Sequence, residues 1–218
     1  MKLGIAPAWF KLGRNLYLPP KPMTTHRTPV ILASSSVWRR QLLRQIGLHF
    51  EATSPDIDET PRNGEASDAL ACRLARMKAE KVAADWPEAV VIGSDQVADV
   101  EGHILGKPGT AARAREQLRL QSGKSVVFHT GLCVCAPAFA EPRIHLETVT
   151  TRFRDLDDDE IARYVAAEDV TGTAGSLKSE GLGITLVSAI ESKDPSALVG
   201  LPLIGLRRLL ADAGIALP

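Results

Sequence analysis

Residues 89–93 read Ala-Val-Val-Ile-Gly, a run without one polar side chain, and Ser94, Asp95 and Gln96 follow at once. An alternating strand can leave one face in water. A continuous apolar run cannot, so this segment reads as a central strand buried on both faces, with Asp95 just past its C-terminal end. The chain around it interleaves strands and helices. Val30 to Ala33 is a short buried strand, and a helix from Trp38 to Ile46 follows, closed by Gly47, with Leu42, Leu43 and Ile46 inward. Residues 48–53 make a second strand, and residues 66–84 a long helix with Leu70, Leu74, Met77 and Lys81 at helical spacing.

Beyond the central strand, Glu101-Gly102-His103 forms a hairpin turn, and Thr110 caps a helix running to Gln121, with Gly123 past its end. Residues 124–135 and 143–153 alternate as two long paired strands. Asp157 and Glu160 form a capping box for a helix with Ile161, Tyr164 and Val165 inside. Residues 172–183 are rich in small side chains, residues 184–190 are another strand, and Pro202 starts a last helix whose Leu206, Leu209 and Leu210 cover the sheet. The expected class is therefore α/β or α+β, with a mixed sheet and flanking helices.

The 218 residues suit one domain with a core of its own. Lys plus Arg and Asp plus Glu both number 26, a balance that argues against a broadly cationic nucleic-acid-coating protein. The first 27 residues hold five Lys or Arg, four Pro and no acid, so the zero is a +5 tail against a −5 body. Residues 1–28 read as a disordered extension, or as the result of an upstream start with Met23 the natural beginning; residues 29–218 form the domain. No run of 18 apolar residues occurs, so no membrane helix is expected. Three Cys make no disulfide framework and fit a reducing, cytoplasmic setting, with Cys133 and Cys135 on one strand face as small packed side chains.

Ser34-Ser35-Ser36 stands between a strand and a helix that opens Val37-Trp38-Arg39-Arg40. Hydroxyls and free N–H groups at a helix start, followed by two guanidinium groups, form an anion site; serines that only cap and arginines that are only solvated are an equal alternative on this pattern. Two Arg in the first turn oppose the helix dipole, a cost that a bound anion offsets. Asp95, a charge directly after an apolar run, is costly unless used. Asp56, Asp58 and Glu59 form a second acidic group; for Asp56 and Asp58 turn chemistry is the readier account. Lys78 lies one residue from the apolar stripe of its helix, and Lys107 sits in a stiff Gly-Lys-Pro turn; taken alone each is a surface lysine. Trp38 is either a core anchor or a stacking platform for a base.

Six segments in order carry a resemblance: Leu32 to Arg40, Asp58-Glu59-Thr60, Ala75 to Ala79, Gly93 to Val97, Gly106-Lys107-Pro108, and Ala174 to Gly181. Together they resemble the Maf family of nucleotide pyrophosphatases over residues 30 to about 210. The resemblance implies an inosine-triphosphatase-like fold, an elongated mixed sheet with a cleft between two lobes. It also implies hydrolysis of a nucleoside triphosphate between the α and β phosphates with a divalent cation, Mg²⁺ or Mn²⁺, and allows a homodimer. Trp38, Gln96 and Glu180 resemble the 7-methyl-GTP subfamily. Carried over, Ser34, Ser36, Arg39 and Arg40 bind phosphates, and Lys78 and Lys107 neutralise the leaving group. Glu59 holds metal or water, and Asp95 is the general base and a metal ligand. The family usually has Pro at Val37, a departure that loosens the loop and removes no phosphate donor. A pyrophosphatase for another nucleotide and a nucleotide-binding regulator of cell division are the alternatives.

Overall fold

A computed structural model of the chain describes residues 28–217, so the extension expected over residues 1–28 lies outside the described residues except for Thr28. One seven-stranded mixed sheet runs through the molecule. Its strands are β1 (Val30–Ala33), β2 (Glu51–Thr53), β3 (Val90–Val100), β4 (His103–Leu105), β5 (Ser125–Cys135), β6 (Arg143–Phe153) and β7 (Val187–Glu191). The order is β2-β1-β3-β5-β6-β7, with β4 paired to β3 beside it. β2, β1 and β3 are parallel, and every other pairing is antiparallel. The helices are α1 (Val37–Gln45), α2 (Ser67–Ala83), α3 (Ala111–Gln121), α4 (Asp158–Ala167) and α5 (Leu203–Asp212). Among the described residues, no helix is long and apolar enough to cross a membrane.

Burial on both faces of the central strand follows from its alternation. Val30, Leu32, Val90 and Ile92 pack with Leu42, Leu43, Leu206 and Leu210 of α1 and α5. Ile31, Ala33 and Val91 pack on the other face against Ala75, Ala79 and Val82 of α2. A further core lies toward the far end of β3 and β5, where Ala98, Val100 and Phe128 meet Leu118 of α3 and Ile161 and Tyr164 of α4.

Four local expectations change. β3 does not end at Gly93 but continues through Ser94, Asp95 and Gln96 to Val100, so Asp95 sits in mid-strand. Polar side chains are tolerated there because each has a partner: Ser94 Oγ lies 2.9 Å from the carbonyls of Gly131 and Gly200. The buried face of α2 is Leu70, Ala71, Leu74, Ala75, Lys78, Ala79 and Val82, rotated from the expected stripe; Lys81 is exposed. Residues 182–186 form a 3-10 turn, and the strand expected from Ile184 begins at Val187. In the capping box Asp157 accepts from the Glu160 N–H at 2.7 Å, while the Glu160 carboxylate turns to Arg154.

Candidate active site

β1 covers one edge of β3 as far as Gly93, and β4 takes up the same edge at Ala98. Residues 94–97 are left without a strand on that side, and a cavity of about 350 Å³ opens at the gap. Side chains on both faces of β3 reach it. Asp95 stands on the face of α2, Gln96 on the face of the 3-10 turn Pro195–Val199, and both line the cavity.

The loop after β1 builds one wall. Ser36 caps α1, its Oγ accepting from the Arg39 N–H at 3.3 Å. Ser34 Oγ accepts from the Ser36 N–H at 3.1 Å and from Arg39 Nη1 at 3.3 Å. Arg39 Nε donates to the Gly200 carbonyl at 2.7 Å, and Gly200 holds a left-handed φ of 113° beneath the guanidinium. This fixes the plane of Arg39 at the cavity wall. Burial lowers the Arg39 pKa, and the charges of Asp95 and Glu59 work against that loss. Arg40 takes a different course: its Nη2 folds back onto the Ser35 carbonyl at 3.0 Å, and it does not line the cavity.

The facing wall carries a buried charge cluster. Lys78, 5% exposed, places Nζ 2.5 Å from Asp95 Oδ1 and 2.6 Å from Glu59 Oε1. Lys107 is well exposed, with Nζ 3.9 Å from Glu59 Oε2. Two glycines allow this meeting. A methyl group at Gly93 would strike the backbone of Ala75 and Ala79, and one at Gly131 the backbone of Ala71 and Cys72. With Ala71, Ala75 and Ala79 facing them, α2 lies close against the sheet and Lys78 reaches Asp95 across that contact. Burial pushes the Glu59 carboxyl up, but the hydrogen bond and charge of Lys78, with Lys107 and Arg39 beyond it, outweigh that and hold it below its ordinary value.

Glu59 is carried by a long loop after β2, and sequence reasoning missed what anchors it. Arg73 of α2 grips Glu65 through Nε at 2.6 Å and Nη2 at 2.7 Å, and its Nη2 also donates to the Thr60 carbonyl at 3.1 Å. An arginine four residues from an apolar helix position gives no local sign that it faces a carboxylate rather than water. The Gly200 carbonyl was equally illegible.

Trp38 and Glu180 line the remaining part of the cavity. Gln96 Nε2 is shared among the carbonyls of Ala197 at 2.8 Å and Leu198 at 3.1 Å and the Thr130 hydroxyl at 3.2 Å. The amide hydrogens are thus committed to protein, and Oε1 is left as an acceptor. Glu180 lies at the rim; loss of water along the cavity wall raises its pKa, and the nearby Lys178 charge opposes that rise. Among the described residues there is no group of three or more His, Cys, Asp or Glu placed to hold a metal.

An α/β sheet carries a polar cleft at a gap in one strand edge, with an arginine-bearing helix start on one wall and a lysine-bridged carboxylate pair on the other, an arrangement that can take an anionic small molecule. The chain belongs to the Maf family: the family described as Maf-like protein matches residues 29–213. A relative from Xanthomonas oryzae pv. oryzae (strain MAFF 311018), called 7-methyl-GTP pyrophosphatase, is 53% identical over 87% of this chain and 98% of its own. One of the same name from Albidiferax ferrireducens is 49% identical over 85% of this chain and 94% of its own. Another from Methylobacillus flagellatus is 49% identical over 86% and 97%. Among solved structures, the Staphylococcus aureus Ham1 protein aligns with a TM-score of 0.44 and 18% identity, over 59% of this chain and 73% of that one.

Proposed function

We propose that this protein is a nucleotide pyrophosphatase that hydrolyses 7-methyl-GTP to 7-methyl-GMP and pyrophosphate. The observation that carries the reading is Lys78 Nζ, buried between Asp95 and Glu59 and facing Arg39 across one cleft. About half of the residues over 85–87% of the chain are shared with relatives called 7-methyl-GTP pyrophosphatases, which supports the choice of base.

In this reading Ser34, Ser36 and Arg39 hold the phosphates at the start of α1, where N–H groups and a guanidinium both favour anions. Arg40 joins them only after leaving the Ser35 carbonyl. Lys78 fixes Asp95 through Oδ1, and Oδ2 takes a proton from water. That water's oxygen bonds to the α phosphorus as the bond from it to the bridging oxygen breaks, and pyrophosphate leaves with the electron pair. Lys78 and Lys107 offset its growing charge. Glu59 and Asp95 also suit a divalent cation of the Mg²⁺ type, which takes one or two carboxylates and completes its shell with phosphate oxygens and water. Such an ion would polarise the phosphoryl oxygens. Trp38 stacks on the base, Glu180 accepts from the guanine N1–H and 2-amino group, and Gln96 Oε1 is a further acceptor. The setting is cytoplasmic, which three free thiols support, and the active form is a monomer or homodimer.

The test is a panel of nucleoside triphosphates with pyrophosphate detection, run on the wild type and on Asp95→Asn. The expected result is preference for 7-methyl-GTP, no measurable turnover in the variant, and retained nucleotide binding. Wild-type turnover in Asp95→Asn would overturn the assignment of the base, and preference for another triphosphate would overturn the substrate.

A further inference from the structure

The carbonyl that aims Arg39 belongs to a loop closed at its far side by a buried acid. Gly200 accepts from Arg39 Nε at 2.7 Å and from Ser94 Oγ at 2.9 Å, so its carbonyl joins the arginine to the central strand. It follows the 3-10 turn Pro195–Val199 and precedes α5. Asp194 caps that turn. Its Oδ1 accepts from the Ser196 N–H at 3.1 Å and from the Ser196 hydroxyl at 2.5 Å, and its Oδ2 accepts from the Ile204 N–H at 2.7 Å. Ser196 Oγ accepts in turn from the Leu203 N–H at 2.8 Å. Pro202 gives α5 no side-chain cap, so these two acceptors satisfy the first free N–H groups of the helix. They tie the start of the turn to the start of α5, and the loop between the ties carries Gly200. Asp194 is 2% exposed. Burying a carboxylate is costly, and donors on both of its oxygens offset the cost.

We infer that Asp194 and Ser196 are positioning residues for Arg39, acting through the Gly200 carbonyl. This deepens the pyrophosphatase reading above and rests on it for the phosphate-holding role of Arg39. Neither residue lines the cavity that Arg39, Lys78 and Asp95 share; Asp194 faces a separate groove with Ile204 and Arg208. A guanidinium grips two phosphate oxygens at once only where its plane is fixed. Ser34 fixes it at Nη1 and Gly200 at Nε. Position 200 favours glycine, because its φ is 113° and a side chain there would press on Arg39 Nε at 3.4 Å. Glycine is also the residue with the most backbone freedom, so its carbonyl keeps one place only in a closed loop. Gln96 and Thr130 hold the turn from the sheet side, at the carbonyls of Ala197 and Leu198. The clasp of Asp194 and Ser196 holds the loop from the side of α5.

Ser196→Ala removes the hydroxyl that Asp194 and Leu203 share, and Ser196→Thr keeps it. The direct readout is solvent exchange of the Arg39 Nε–H, followed by NMR on isotope-labelled arginine and assigned by its loss in Arg39→Lys. Ser196→Ala is expected to speed this exchange by about tenfold, and Ser196→Thr to match the wild type. Asp194→Asn keeps an oxygen for Ser196 and loses the acceptor for the Ile204 N–H; as a second variant it is expected to shift the exchange in the same direction. In pyrophosphate release from the preferred triphosphate, Ser196→Ala is expected to lower kcat/KM by about tenfold to a hundredfold. In an Arg39→Lys background, which already lacks the bond to Gly200, the same substitution is expected to cost less than about twofold, as for residues that act as one unit. An equal loss in both backgrounds would show that the clasp serves the fold alone. That result, or unchanged exchange in Ser196→Ala, would overturn the proposal. A wild type that releases no pyrophosphate from any triphosphate would overturn the reading above instead, and faster exchange in Ser196→Ala would still support the clasp.

Discussion

Trp38 and Lys78 show how differently two residues of one site announce themselves. Trp38 stands out locally, because a large aromatic beside two arginines at a helix start has few uses. In the structure it lines the cleft, beside the rim that carries Glu180. A cationic ring on an indole gains roughly 0.5–2 kcal/mol. Trp38→Ala is accordingly expected to raise KM for 7-methyl-GTP by about twofold to thirtyfold and to leave KM for GTP much less affected. Steady-state kinetics on the two substrates checks this, and equal effects would reduce Trp38 to a packing role. Lys78 gives no such sign. Its position beside an apolar stripe reads as a solvated lysine, yet it is among the most buried charged groups in the described chain. A lysine can be buried here because two carboxylates surround its ammonium, and those lie 17 and 19 residues away, beyond the reach of helical periodicity.

At the scale of elements, the fit of α2 on β3 and β5 decides whether the charge cluster exists. Gly93 and Gly131 are written in the sequence, but a glycine inside a strand says only that something comes close. The structure shows that the backbone of α2 does. Gly131→Ala should push the helix outward at Ala71. Overpacking of this kind costs about 1–3 kcal/mol, which urea denaturation will show as a lower midpoint. A shift of about 1 Å between Lys78 and Asp95 is expected to cost on the order of 100-fold in kcat. KM for the nucleotide should change little, because Ser34 stands in the loop after β1 and Arg39 on α1, and neither on α2. A variant with lowered stability and unchanged kcat would show that the close approach serves packing alone. Strand ends were the least legible part of the elements. β3 outruns its apolar run by seven residues because Ser94, Asp95 and Gln96 each find partners that no local pattern contains.

Over the whole molecule, acid stability follows from how the carboxylates are paired. The bond to Arg73 and the Arg62 N–H hold the Glu65 carboxyl down to about 2, against an ordinary 4.5. A folded-state pKa below the unfolded one means stability that is present above the unfolded value and is lost as pH falls through the folded one. The Glu65–Arg73 clamp should thus support the fold at neutral pH and fail between about pH 4.5 and pH 2. The gap in urea midpoint between wild type and Glu65→Gln is expected to be widest above about pH 5 and to close toward pH 2. A gap independent of pH would assign the effect to packing rather than charge. Because Arg73 also holds the Thr60 carbonyl, loosening this clamp frees the loop that presents Glu59. The balance of charge has the same character. Its total of zero says little, whereas Arg39, Lys78 and Lys107 are concentrated around one cleft in an otherwise acidic body, which is what the proposed anionic substrate requires. By itself the sequence determined the order and kind of the elements, the helix caps, and which charged groups were available, since those depend on neighbours within a few residues. Only the tertiary structure decided that Asp95 and Gln96 reach one cavity from opposite faces of a strand, and that Arg40 turns away. Those outcomes depend on contacts such as Arg39 with the Gly200 carbonyl, 161 residues apart, and Ser94 with the same carbonyl, 106 residues apart. Packing and strand register set such contacts, and neither is encoded in any short stretch of chain.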